Sequence, residues 1–442
     1  MEDLKHFNES EFRRVSLLSE LRLSQINEDP KKIPPKDKYN LVLFVFFFLG
    51  FGGMVPGSFF LTATDYWMFK FRDVSQDHYD PRNKTYLQTN FASISSIIHS
   101  IPTMVTTILV SMFGHKLDVR FRLLSTLSVL TGTFILFTIF VVVDTDSWQM
   151  GFFILTMAVT VVNSIAGILL GVTHFAIIAK FPTAYLKFHM YGSTTGGIFS
   201  SVLQVICLSF GGNSTQVGLM YYLVGTSILI VTVLAAYSTK YLPLFQFYMG
   251  DTSESTRKPM PSLSVLKDVS KRMWPFLVPM IWGLPTFAWC SPTILILIVP
   301  ENYKRGDPWT DKYFIPVITF LLPSIIGLFS RVGAKPWMTP KNAKWFVLFS
   351  LVKTFTLNPL FLFCNESPKH HLPVLFPHDW QYITILVINT ILSDYVGTIH
   401  FLSTPNFAKE KTEEAFILMQ AVMMVLGSAF SPLSAVWVNK VL

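Results

Sequence analysis

Eleven stretches of this chain are long and apolar enough to cross a bilayer: 40–64, 91–114, 121–143, 150–179, 187–210, 217–239, 273–299, 313–333, 345–364, 379–403 and 414–438. A hydrocarbon core about 30 Å thick needs roughly 20 apolar residues per helix. Within it every backbone N–H and C=O must find its partner inside the protein, which leaves only helices or a closed barrel. No alternating strand pattern of about ten residues recurs, so a barrel is excluded. The expected fold class is an all-α polytopic membrane protein with about 11 transmembrane helices. Composition points the same way: 51% of the 442 residues are hydrophobic and 14% charged, with a mean hydropathy of +0.46. A soluble domain carries about 25% charged residues to wet its surface. No nucleic-acid partner is expected despite the net charge of +8, because positive charge on such a chain marks cytosolic loops. Cys207, Cys290 and Cys364 lie far apart in apolar runs and imply neither a disulfide framework nor a zinc site. The first 39 residues are polar and charged, so no signal peptide is expected.

The longest polar gap, 241–272, contains GDTSESTRKPMPSLS from Gly250 to Ser264, a composition typical of a linker. It divides the spans six and five. The expected organisation is a cytosolic tail (1–39), an N-terminal bundle of helices 1–6 (40–240), a central cytosolic loop (241–272) and a C-terminal bundle of helices 7–11 (273–442). Two packed bundles joined by a loop suit a transporter built from repeats, although the halves show no clear sequence repeat.

With the N-terminus in the cytosol, cytosolic segments hold 24 of the 35 Lys and Arg residues and the opposite side 9, the asymmetry that sets orientation. The sequons at Asn83, Asn213 and Asn365 then all face outward and are candidate glycosylation sites. In the tail, Phe12, Val15, Leu18 and Leu21 recur at helical spacing among Arg13, Arg14 and Arg22. That is the pattern of a helix resting on the membrane, against the alternative of a disordered tail. Leu17–Leu18 is similar to a dileucine sorting signal, with Arg13 where an acidic residue is usual.

Within the spans, Pro56 follows Gly50, Gly52 and Gly53, and Gly192 to Gly197 form a small-residue run. Both features suit either a helix break that lines a polar path or a close-packing seam. Charges inside spans are costly unless they face protein or water. Arg331 lies near a cytosolic end, where it either snorkels or serves a site. Lys353 and Asp394 lie deeper, and Asp394 needs a partner: Lys353–Asp394 and Arg331–Asp394 are the two choices, as an ionic lock or a proton-coupling site. His99, His174 and His400 also fall within spans and titrate in the right range for a switch, though a structural hydrogen bond serves equally.

The segment KDKYNLVLFVFFFLGFGGMVPGSFFLTATDYWMFKFRD, Lys36 to Asp73, resembles the opening of the equilibrative nucleoside transporter family, with a lysosomal-type member as nearest relative. Further resemblance lies in YFIPVITFLL (Tyr313 to Leu322) running on to Arg331, VVNSIAGILLG (Val161 to Gly171) followed by Phe181-Pro182, and MYGSTTGG (Met190 to Gly197). The resemblance implies a major-facilitator-like 6+5 arrangement around a central cavity. It places Met54, Leu61, Leu170, Ser324, Arg331 and Asp394 at the substrate site, with Arg331 matching the arginine used for substrate recognition. Departures cluster there. The family's Pro-Trp-Asn is Pro56-Gly57-Ser58, Leu61 stands where methionine is common, and a glutamine is Leu170. The eighth-span asparagine and aspartate are Ser324 and Gly327, and Ser393-Asp394-Tyr395 matches the tenth-span motif imperfectly. A site that loses hydrogen-bonding groups loses discrimination.

The function so implied is nucleoside (or nucleobase) movement by alternating access, facilitative or proton-coupled. The alternatives are carriage of another small organic solute and a non-transporting scaffold or receptor. No metal-ligand cluster, nucleophile elbow or phosphate-binding loop occurs, so neither an enzyme nor a cofactor is expected. The expected partners are a nucleoside-like solute and membrane lipid. The expected location is integral to a membrane, the plasma membrane first and endosome or lysosome second.

Overall fold

The computed structural model describes residues 34–441 apart from 63, 75–84, 114–116, 211–213, 251–262, 291–293, 305–306 and 367–371. The described residues are helical, with only two isolated bridges, Ile298 to Glu366 and Cys364 to Phe376. In chain order the first half contains α1 (Leu41–Thr62), α2 (Thr64–Lys70), α3 (Tyr86–Phe113), α4 (Val119–Val142), α5 (Gln149–Ile178), α6 (Thr183–Phe210), α7 (Ser214–Ser238) and the short α8 (Pro243–Met249). The second contains α9 (Leu263–Arg272), α10 (Trp274–Cys290), α11 (Leu322–Gly333), α12 (Ala343–Leu360), α13 (Asp379–Ala408) and α14 (Thr412–Val441). Two π-helical turns, Pro308–Tyr313 and Ile315–Leu321, lead into α11. Prolines 308 and 316 sit at their starts, where the missing amide donor disturbs the ordinary ladder least.

The described residues of the apolar runs are mostly helical. By length and composition, seven described segments can cross a membrane, the last of which, Asp379–Phe430, runs through both α13 and α14. The protein is integral to a membrane. The surface helix expected over 12–22 and the middle of the central loop lie outside the described residues. The flanks of that loop are the helices α8 and α9, and α9 turns Val269 onto the second half's core.

The first half packs α1 along α6, α4 against α5 and α7, and α3 against α5. One end of it is a cluster of rings around Trp67, with Phe91 at 5.4 Å and Phe137 at 5.9 Å, continuing through Phe71 and Phe152 at 5.7 Å. Off-centre ring pairs of this kind add to the large area each ring buries. The second half packs α11 and α12 against α13, and α10 against α12 and α14. Two seams join the halves: α14 against α3 and α5, and α6 against α11.

Two of the glycines weighed in the sequence mark the closest approach of α1 and α6. A Cβ on Gly192 would lie 2.0 Å from the Phe47 carbonyl oxygen, and one on Gly50 2.0 Å from that of His189. These are packing positions, where α1 and α6 approach backbone to backbone. Gly57, by contrast, faces open space with nothing within 4 Å of a Cβ.

Candidate functional site

Gly196 and Gly197 on α6 bring two of the expected site residues to one place. The Met54 Cβ lies 3.2 Å from where a Gly196 Cβ would be, and the Ser324 Oγ 3.7 Å from that of Gly197. Met54 is 39% exposed. Ser324 donates its hydroxyl to the Phe320 carbonyl one turn back at 2.8 Å, so its oxygen keeps a free lone pair. Ser324, Gly327 and Arg331 recur at spacings of three and four, which stacks them on one face of α11.

Arg331 does not snorkel away from the protein. Its Nε and Nη2 donate to Asp394 Oδ1 on α13 at 2.9 and 2.6 Å, and the two side chains are 26% and 22% exposed. Between the two pairings the sequence left open, the fold selects Arg331–Asp394. Lys353 on α12 instead donates to the Ser393 hydroxyl at 2.5 Å, and Ser393 in turn donates to Asn389 Oδ1 at 3.4 Å. Three helices of the second half, α11, α12 and α13, are thus joined by an ion pair and hydrogen bonds of charged side chains, which a membrane span carries at a cost when they lack partners.

The observed placing of the Asp394 carboxylate uses space that Gly327 leaves open. Its Oδ2 lies 2.4 Å from the position of a Gly327 Cβ. The carboxylate supplied by α13 therefore occupies space that a side chain on α11 would otherwise take. In the sequence the signal is a missing side chain at Gly327 beside a surplus charge at Asp394; that one occupies the space of the other is visible only in the fold.

Other expected residues stand elsewhere. Leu170 is 2% exposed in the core of the first half; its neighbour Gly171 abuts the Gln420 amide of α14. The Leu61 side chain, Asn83 and Asn213 lie outside the described residues. Asn365 is described: its Nδ2 donates to the Val299 carbonyl at 2.8 Å, between buried Cys364 and Glu366.

Contacts cross between the halves at both ends. At the end where α5 finishes, Phe175 stacks on Phe401 of α13 at 5.2 Å and on Phe416 of α14 at 5.9 Å. Buried Arg122 donates its Nε to Thr173 Oγ1 at 2.7 Å nearby, with the Glu413 carboxylate of α14 attracting it. At the other end the Tyr313 hydroxyl donates to Ser209 Oγ at 3.2 Å. These contacts were not legible in the sequence, since none follows from spacing along one helix.

Comparison with known proteins places the chain. The family model described as nucleoside transporter matches residues 155–438. Equilibrative nucleoside transporter 3 of Rattus norvegicus is 26% identical over 418 residues, covering 89% of this chain and 87% of that protein. Equilibrative nucleoside transporter 1 of Homo sapiens is 23% identical over 448 residues, covering 89% and 96%. Among solved structures, the major facilitator superfamily proton:xylose symporter XylE superposes with a TM-score of 0.58 at 10% identity, over 90% of this chain and 88% of that one. A point mutant of the nucleoside transporter NupG superposes at 0.52 and 16% identity, over 90% and 91%. At such identities the likeness establishes the fold, which is the major-facilitator arrangement. With its family model covering more than half the chain, this protein belongs to the nucleoside transporter family.

Proposed function

We propose that the protein carries nucleosides across its membrane by alternating access, with the solute held between the two halves. The observation that carries this reading is the Arg331–Asp394 pair, partly open to solvent beside the α6–α11 seam. A guanidinium has five donors, and Asp394 Oδ1 takes only the two on Nε and Nη2 that face it. The remaining donors suit the hydroxyls of a ribose or the acceptors of a base. Met54 across the seam supplies an adaptable apolar surface, and Ser324 a lone pair. Rocking would break the contacts at one end while keeping those at the other, and the aromatic stack of Phe175, Phe401 and Phe416 is the contact to break for release on its side.

Uptake of tritiated nucleosides into liposomes containing the purified protein tests this. Saturable uptake of at least one nucleoside is expected. Acceleration by an imposed pH gradient would assign proton coupling, and insensitivity to it facilitated diffusion. Uptake indistinguishable from empty liposomes for every nucleoside tried would overturn the reading.

A further inference from the structure

His99 stands near the middle of α3 and is exposed, yet it does not face lipid. The lipid stripe of α3 is Ile97, Ile101, Val105 and Ile108, each between 45% and 55% exposed. At 3.6 residues per turn, His99 points about 200° away from Ile97. Its Nδ1 is 2.8 Å from Ser164 Oγ on α5, and that hydroxyl donates to the Thr160 carbonyl at 2.8 Å. A carbonyl only accepts and Ser164 has one proton, so both contacts are hydrogen bonds together when Ser164 donates to Thr160 and accepts from His99. The proton of a neutral imidazole is therefore on Nδ1, and Nε2 carries a bare lone pair. Depth follows from the outer ends of the helices, where Phe60 of α1 and Phe91 of α3 meet at 6.2 Å. Eight residues inward along each antiparallel helix, about 12 Å, His99 comes level with Gly52, two residues before Met54 of the candidate site.

We propose that His99 is a specificity-determining residue of the first half, accepting through Nε2 a hydrogen bond from the transported solute. It rests on the transport reading above. The chemistry sought is a donor, either the amino group or ring N–H of a base or a ribose hydroxyl. The Ser164–Thr160 bond orients the ring in advance, so the acceptor is held in place before the solute arrives. His99→Phe leaves Ser164 its bond to Thr160 and so strands no buried donor.

The test combines uptake with chemical modification. In liposomes, His99→Phe is expected to raise the KM for adenosine about three- to tenfold, the worth of one neutral hydrogen bond, with thermal unfolding unchanged; His99→Gln, which retains an acceptor, should recover part of the loss. Competition by purine riboside, lacking the amino group, and by 2′-, 3′- and 5′-deoxyadenosine identifies the donor. The analogue missing it should be penalised in the parent and not in His99→Phe. Independently of transport, diethyl pyrocarbonate should modify His99 and leave the buried His174 and His400 unmodified, and saturating adenosine should slow modification severalfold. Normal uptake by His99→Phe with no analogue coupled to it overturns the inference and leaves the function standing. Absence of all nucleoside uptake by the parent overturns the function. An imidazole that the reagent cannot reach, or that adenosine does not shield, overturns the inference whatever the uptake.

Discussion

The first half of the protein is held chiefly by rings and close backbone: Trp67 and its neighbours at one end, and the glycine-backed crossing of α1 and α6. In the second half, charged side chains link the helices: Arg331 pairs with Asp394, and Lys353 donates to the Ser393 hydroxyl. The physical consequence differs. Apolar surfaces packed to interior density interlock and so yield together rather than contact by contact. A partly exposed ion pair holds helices together but can share its donors with a polar solute that enters beside it. The first half therefore reads as the rigid wall and the second as the half whose polar contacts are renegotiated during transport.

The largest effect should come from the rigid wall. Gly192→Val places a Cβ on a backbone oxygen that no rotamer change can move, so little monodisperse protein is expected by size-exclusion chromatography. Gly57→Ala, which meets nothing, should behave as the parent. Equal yields from both would remove the distinction between the halves.

Arg331→Ala should fold but lower uptake about tenfold to more than a hundredfold, from the loss of charged hydrogen bonds worth roughly 1.5–3 kcal/mol. Arg331→Lys should rescue only in part, because it keeps the charge and loses the fork. Removing one partner also strands the other, so Arg331→Ala with Asp394→Ala should unfold at a higher temperature than Arg331→Ala alone. If Arg331→Ala transports like the parent, the site is misplaced.

Gly327→Ala tests the same pair through its neighbour. The added methyl would meet Asp394 Oδ2, a side chain that can turn aside, so a cost of about 1–3 kcal/mol should appear as a severalfold loss of uptake with the protein still folded. An unchanged KM would show that Asp394 has room to spare.

A smaller effect is expected at the membrane surface. Asp268 of α9 is bonded to Lys411 at 2.8 Å and to Arg272 at 3.0 Å, and these two cations, Lys411 foremost, hold its carboxyl below the usual carboxylate range. A depressed folded-state value means that this contribution is present above the ordinary carboxylate pKa and is lost as pH falls through the folded one. Asp268→Asn should therefore lower the unfolding temperature slightly at neutral pH and not at all in strong acid.

The least change is expected from Asn365→Gln. Its amide is engaged with Val299 between two buried residues, so the mobility of protein from a eukaryotic host should not alter, whereas Asn83→Gln with Asn213→Gln should abolish any glycosidase-sensitive shift. A shift lost on Asn365→Gln would mean that this loop opens.

Much of the fold was legible because a bilayer imposes a one-dimensional rule. Runs such as 121–143 and 150–179 must be helical wherever they sit, and α4 and α5 follow them closely. The candidate site was legible in parts. Met54, Ser324, Arg331 and Asp394 do come to the seams or to one another, whereas Leu170 is packed in the core of the first half. A single apolar residue among apolar neighbours carries no mark of which way its helix is turned.

The sequence by itself determined the membrane class and the helical character of the long apolar runs. Each depends only on local composition against the thickness and dielectric of the bilayer. Only the tertiary structure decided that Asp394 takes Arg331 rather than Lys353, that Gly192 is a packing contact while Gly57 is open, and that His99 turns inward. Those outcomes depend on the rotation and spacing of neighbouring helices. Such quantities arise from the summed packing of many side chains and are written at no single position.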